Sequence, residues 1–154
     1  ESSTVVDDVE SVAEIEVKDA RKCAILGDLL RHEGLHGAAV VEYEKAFKKA
    51  GNISPQIQNK LATAYIMDTQ YTKAEEILKV ALKYYPEYTT TYISLGELYQ
   101  RKGEYDAAVE ILSQANHINP FNPIIHRNLA LLYDKLNRKE EAATELKRLM
   151  LLGK

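Results

Sequence analysis

The chain has 154 residues, 45% hydrophobic and 28% charged, with a formal net charge of −3 and one cysteine, Cys23. That apolar content supports one cooperative unit with a continuous core. A lone cysteine excludes an internal disulfide, no apolar run reaches the ~18 residues that a membrane span needs, and a mildly acidic balance argues against nucleic acid as a partner.

Residues 1–19 stand apart. They hold seven acids (Glu1, Asp7, Asp8, Glu10, Glu14, Glu16, Asp19) against one base, Lys18; this net of −6 leaves +3 for residues 20–154. A charge-dense leader outside any repeat register reads first as a solvated linker. Ser11-Val12-Ala13-Glu14 also fits a capping box, which would make the leader partly helical. The chain begins at Glu1 without a methionine, as expected of a fragment or a processed form. No signal-peptide pattern is present, but a targeting segment could have been removed, so the compartment stays unknown, with the cytoplasm favoured.

From residue 20 onward, apolar residues recur at three- and four-residue steps, the spacing of one helical face. The first pair of predicted helices is carried by Cys23, Leu26, Gly27 and Leu30, then by Ala39, Val40, Tyr43 and Ala46. Cys23, on the first of these faces, reads as a half-buried packing thiol. Gly51 to Pro55 make a loop, and Ser54-Pro55 has the order of an N-cap and a first helical residue, which Asn122-Pro123 repeats. The stretch Tyr92–Pro120 shows the unit most plainly. Tyr92, Leu95, Gly96 and Tyr99 share one helix face; Lys102-Gly103 turns the chain; Ala108, Ile111, Leu112 and Ala115 share a second face; and Asn119-Pro120 stops it. Gly96 and Ala108 are the expected points of close approach. Neither helix can bury its stripe alone, so further copies must stack on it.

The copies run in register. Ala39, Ala74, Ala108 and Ala142 are separated by 35, 34 and 34 residues. Leu26, Leu61, Leu95 and Leu129 keep the step, as do Gly27, Ala62, Gly96 and Ala130, and as do Cys23, Gln58, Tyr92 and His126. Tyr65, Tyr99 and Tyr133 align with Leu30. This pattern resembles the tetratricopeptide repeat family, whose period is about 34 residues, in four copies at about 20–54, 55–88, 89–122 and 123–154. The first copy lacks the aromatic and the closing proline, and the last has Leu149 where a small residue is usual.

The resemblance implies an all-α, right-handed superhelical solenoid of antiparallel helix hairpins. It also implies a non-catalytic module without a cofactor, whose first helices line a concave groove that holds a peptide segment of a protein partner. The groove residues it implies face away from the Leu-Gly/Ala-Tyr packing side. In the first copy these are Arg21, Ala24 and Asp28, and in the second Gln56, Asn59, Thr63 and Ile66. The third copy offers Thr90, Ile93 and Glu97, and the fourth Ile124, Arg127, Asn128 and Leu131. Some family members clamp chaperone C-terminal carboxylates with lysine and arginine. The matching positions are Asn59, Thr63, Ser94, Ile124 and Asn128 counted from the second copy, or Ala24, Asp28, Lys60, Thr90 and Ser94 counted from the first, and neither frame supplies the cations that such a clamp needs.

One catalytic motif has to be weighed. His32-Glu33-Gly34-Leu35-His36 matches H-E-x-x-H, in which two histidines one helical turn apart ligate zinc and the glutamate activates water. The register aligns Gly34 with Gly103 and Asn137 at the bend between two helices, which would break the helix that this chemistry needs. Two solvated turn histidines are the expectation, no metal site is assigned, and a zinc hydrolase is only a remote alternative. Basic pairs such as Lys48-Lys49, Arg101-Lys102 and Arg138-Lys139 fall at repeat ends and turns and read as solvated. The final helix ends Leu149-Met150-Leu151-Leu152, with no helix following in this sequence. Leu146, Met150 and Leu152 are therefore expected to form an exposed patch for self-association, and an oligomerisation module is the alternative function.

Overall fold

The structure, a computed structural model, describes residues 2–154, with side chains described from residue 14 onward. Its helices are α1 (Ser2–His32), α2 (His36–Ala50), α3 (Pro55–Met67), α4 (Tyr71–Tyr84), α5 (Thr89–Arg101), α6 (Tyr105–Ile118), α7 (Pro123–Lys135) and α8 (Lys139–Leu152), with a short 3-10 turn at Gly51–Ile53. Among the described residues there is no strand, and the fold is the all-α array of antiparallel hairpins expected of tetratricopeptide repeats. α1 continues through Ser11, so no helix begins there. The side chains of Ser11, Val12 and Ala13 lie outside the described ones.

Every hairpin is closed by the same turn. In the first, the Glu33, Gly34 and Leu35 N–H groups donate to the carbonyls of Leu29, Arg31 and Leu30 at 3.1, 3.0 and 2.9 Å. The same pattern recurs at Asp68–Gln70, Lys102–Glu104 and Leu136–Arg138. The middle residue is left-handed each time: Gly34 (φ 78), Thr69 (φ 61), Gly103 (φ 77) and Asn137 (φ 58). This is a Schellman closure, which glycine and asparagine enter readily. Thr69 is β-branched and adopts it against its own preference. At the repeat starts, the Ser54 hydroxyl accepts from Ile57 N–H at 3.3 Å and the Asn122 side chain accepts from Ile124 N–H at 2.9 Å. Pro55 and Pro123 follow as first helical residues.

The helices collect into two compact units, Glu1–Tyr84 and Tyr85–Lys154. Composition alone led to one cooperative unit; the division falls at a repeat boundary, as suits a chain whose repeats pack on nearest neighbours. In the first unit α1 packs on α2, α2 on α3 and α3 on α4. Ala20, Ala24, Ala46, Ala50 and Ile57 form one buried cluster there, with Cys23 and Phe47 packed against it. In the second unit α5 packs on α6, α6 on α7 and α7 on α8. Gly96 lets α5 and α6 approach, but its closest neighbour is Leu112, one turn beyond Ala108. A Cβ on Gly96 would lie 2.8 Å from the Leu112 side chain.

Candidate functional site

The expected groove residues separate into two groups. Asn59 and Ile66 are buried, at 4% and 0% exposure, and are not open to a partner. The Asn59 amide donates back to Pro55 O at 2.9 Å, and half-buried Thr63 likewise donates to Asn59 O at 2.9 Å. Ala24, also expected in the groove, belongs to the buried α1–α2 cluster. In the second unit Ile93 and Glu97 on α5 are half-buried, and Glu97 pairs with Arg101 at 3.2 Å. α7 gathers the open residues. Ile124, Arg127 and Leu131 are three and four residues apart, hence on one face, with Ile124 and Leu131 exposed at 45% and 57% and Asn128 half-buried beside them.

Two polar clusters lie apart from α7, the first of them built on Asp28, which was itself expected in the groove. In the first unit Asp28 accepts from the Tyr43 hydroxyl at 2.6 Å and from Lys60 Nζ at 2.6 and 2.7 Å, with Arg31 at 4.0 Å. Burial pushes the Asp28 carboxyl up, but the Lys60 and Tyr43 hydrogen bonds and the Lys60 and Arg31 charges together hold it below its ordinary value. Burial, and donation to Asp28, push the Tyr43 hydroxyl up. A carboxyl depressed in the folded state stabilises above the ordinary value of 3.8, and that stabilisation fades as pH falls through 3.8 towards the lower folded value. In Asp28→Asn the acid limb of a Tm-versus-pH profile should accordingly be shallower than in wild type. An unchanged limb would place the acid sensitivity elsewhere. The effect is modest, because Asp28 and Lys60 are 35% and 37% exposed and screened by water.

The second cluster grows from the register position shared by Cys23, Gln58, Tyr92 and His126. Three of these side chains reach back to the loop closing the previous repeat. Gln58 Nε2 donates to Asn52 Oδ1 at 3.0 Å, the Tyr92 hydroxyl donates to Pro86 O at 2.6 Å, and His126 Nε2 lies 2.7 Å from Pro120 O. His126 Nδ1 also lies 2.6 Å from Glu145 Oε2, and Arg148 donates to Glu145 Oε1 at 2.7 Å. Carbonyl and carboxylate both accept, so Nε2 carries its hydrogen and a proton lies between Nδ1 and Glu145. With both nitrogens engaged, the imidazole has no free lone pair to act as a base. The adjoining cavity of about 380 Å³, lined by Asn116, Pro120, Phe121, His126, Arg148, Leu151 and Leu152, offers no hydroxyl or thiol nucleophile. The cluster ties α8 to the α6–α7 loop.

The H-E-x-x-H stretch is split between two helices. α1 ends at His32, α2 begins at His36, and Gly34 turns the chain between them. The His32 side chain is 87% exposed. His36, expected to be solvated, is half-buried with Nδ1 closed off from water, because it opens α2 rather than staying in the turn. Among the described residues no group of three His, Cys, Asp or Glu is placed to hold a metal ion. None of the described helices is long and apolar enough to cross a membrane. At the chain's end Leu146 and Met150 are exposed at 50% and 71%, whereas Leu152 is half-buried and lines the cavity beside His126.

Four helix hairpins closed by one repeating turn, with Leu, Ala and Gly held at fixed positions across them, define a tetratricopeptide repeat protein. Within that class the chain belongs to the family of the cilia and flagella-associated protein 70 C-terminal domain, whose model matches residues 4–153. It is 34% identical over 113 residues to BBSome complex member BBS4 of Bos taurus, covering 73% of this chain and 21% of that protein. Cilia- and flagella-associated protein 70 of Homo sapiens is 27% identical over 136 residues, 87% of this chain and 12% of that protein. Of solved structures, a thermophilic TPR protein of Thermus thermophilus, TTC0263, has a TM-score of 0.76 at 26% identity, covering 86% of this chain and 74% of that one. The chain thus spans about a fifth or less of the length of these two curated relatives.

Proposed function

We propose that the chain is a non-catalytic protein–protein interaction module that binds a peptide segment of a partner across the first-helix face of its second unit. Ile93, Ile124 and Leu131 supply apolar contact, with Glu97, Arg127 and Asn128 around them. One observation carries this reading. Leu131 aligns with Asp28, Thr63 and Glu97, and Ile124 with Arg21, Gln56 and Thr90, so α7 exposes aliphatic side chains where the other repeats place polar ones. Exposed aliphatic residues side by side on a folded surface favour an apolar partner. Similarity to a BBSome complex member supports a role in protein assembly.

The test is selection from a displayed peptide library against the whole chain, followed by titration of enriched peptides. These should bind wild type and lose about tenfold or more in affinity on Ile124→Asp with Leu131→Asp, since each buried aliphatic contact is worth roughly 1.5–3 kcal/mol. A free C-terminal carboxylate should not be required, because Asn59, Ser94 and Asn128 supply no cation. Enriched peptides indifferent to the double substitution would move the site off α7.

A further inference from the structure

We infer that the hollow between α2 and α4 is a second docking site, taking a partner segment that sets a bulky apolar side chain beside a lysine or arginine. The hollow holds about 420 Å³ and lies within the first unit, on elements that stand between α1 and α5 in the chain. Leu61 and Tyr65 of α3 floor it, with Phe47 of α2 on one side and Ile77 and Val80 of α4 on the other. Leu61 and Tyr65 are buried and Phe47 and Ile77 half-buried, while Val80 is 38% exposed. Its own unit therefore covers this lining only in part.

Repeat geometry does not require an apolar lining at this place. The register aligns Phe47 with Asn116, Ile77 with Glu145 and Val80 with Arg148, on α6 and α8 of the second unit. There the equivalent side chains are polar and bonded: Glu145 lies 2.6 Å from His126 Nδ1 and accepts from Arg148 at 2.7 Å. In the first unit Gln58 stands at the His126 position and donates to Asn52 at 3.0 Å, and aliphatic side chains replace Glu145 and Arg148. Aliphatic groups half-open in a concave surface favour an apolar occupant.

Charge selects among apolar occupants. Glu44 of α2 and Lys73 and Glu76 of α4 also line the hollow. The Tyr65 hydroxyl donates to Glu44 Oε1 at 2.6 Å and holds that carboxylate at the edge of the apolar lining. Lys73 Nζ lies over the Tyr65 ring, 5.6 Å from its centroid. Among the described residues neither Glu44 nor Glu76 forms an ion pair; Lys79, on the same helix, pairs with Glu75 instead, at 2.8 Å. Two carboxylates against one ammonium attract a cation next to the apolar group and repel a carboxylate there. The inference is independent of peptide binding on α7 and uses none of its residues.

The experiment is selection from a displayed peptide library against the whole chain carrying Ile124→Asp and Leu131→Asp, so that binding on α7 is out of the readout. In that background enriched peptides should pair a bulky apolar residue with lysine or arginine. Val80→Lys, which sets a cation where α8 carries Arg148, should weaken them about tenfold or more, since a charge is forced into an apolar contact. Glu76→Lys should weaken them by roughly threefold or more. Peptides with the cation changed to glutamate should bind this variant more tightly than its parent. Both positions are exposed, and circular dichroism checks that every variant is folded. A selection that enriches nothing overturns the inference, and so do acidic enriched peptides or peptides indifferent to Val80→Lys. Light scattering on the same protein covers the other occupant: self-association that Val80→Lys abolishes would make it a second copy and overturn the inference equally.

Discussion

Replacing His126 by leucine is expected to lower stability by about 3–5 kcal/mol, because it leaves the buried Glu145 carboxyl without its nearest partner. The Glu145 side chain is 6% exposed, and without the imidazole it is held only by Arg148 at 2.7 Å. Pro120 O loses its donor at the same time. Glu145→Leu should be milder, about 1–3 kcal/mol, because the imidazole keeps its bond to Pro120 and strands only Nδ1. The double replacement should cost less than the two single costs added, since an apolar pair strands neither group. Urea unfolding of the four proteins closes this cycle, and strictly additive costs would show that the 2.6 Å contact carries no coupling. His126→Tyr offers a further check. Tyr92 reaches Pro86 O from the aligned position, so tyrosine should restore the loop bond without satisfying Glu145 and fall between wild type and leucine.

Leu112→Ala comes next in size, at about 2–5 kcal/mol for a large aliphatic side chain cut back in a closed core. Leu112 is 0% exposed and sits over Gly96. Gly96→Ala in wild type should cost about 1–3 kcal/mol, because the added Cβ would lie 2.8–3.1 Å from three carbons of Leu112. That cost appears although alanine is the better helix former by about 1 kcal/mol. With Leu112 shortened to alanine the sign should reverse. The new methyl then fills part of the void and the helix preference is gained, so the double variant unfolds at a higher temperature than Leu112→Ala alone. Equal destabilisation by Gly96→Ala in both backgrounds would show that close approach is not what this glycine provides.

The hairpins were legible in the sequence because their signals are local and repeat. Leu and Ala registers set the helix faces, Ser54-Pro55 and Asn122-Pro123 mark helix starts, and Gly34, Gly103 and Asn137 mark the bends. The same register places a bend inside the H-E-x-x-H stretch, and the chain does turn there. Thr69 gave no such mark, since β-branched residues avoid the left-handed region; the closing hydrogen bonds of Asp68, Thr69 and Gln70 to the end of α3 go with it there. Burial was the part that local signals could not supply. Asn59 and Ile66 lie on the side of α3 expected to be open, yet both are covered. The reverse holds for Leu26, whose register predicts core and which stands exposed on α1. His126 was visible as the register mate of Tyr92, but its partner Glu145 lies 19 residues away on α8. Periodicity determines which side chains share a helix face, whereas burial depends on what packs over that face, and only the tertiary structure decides that.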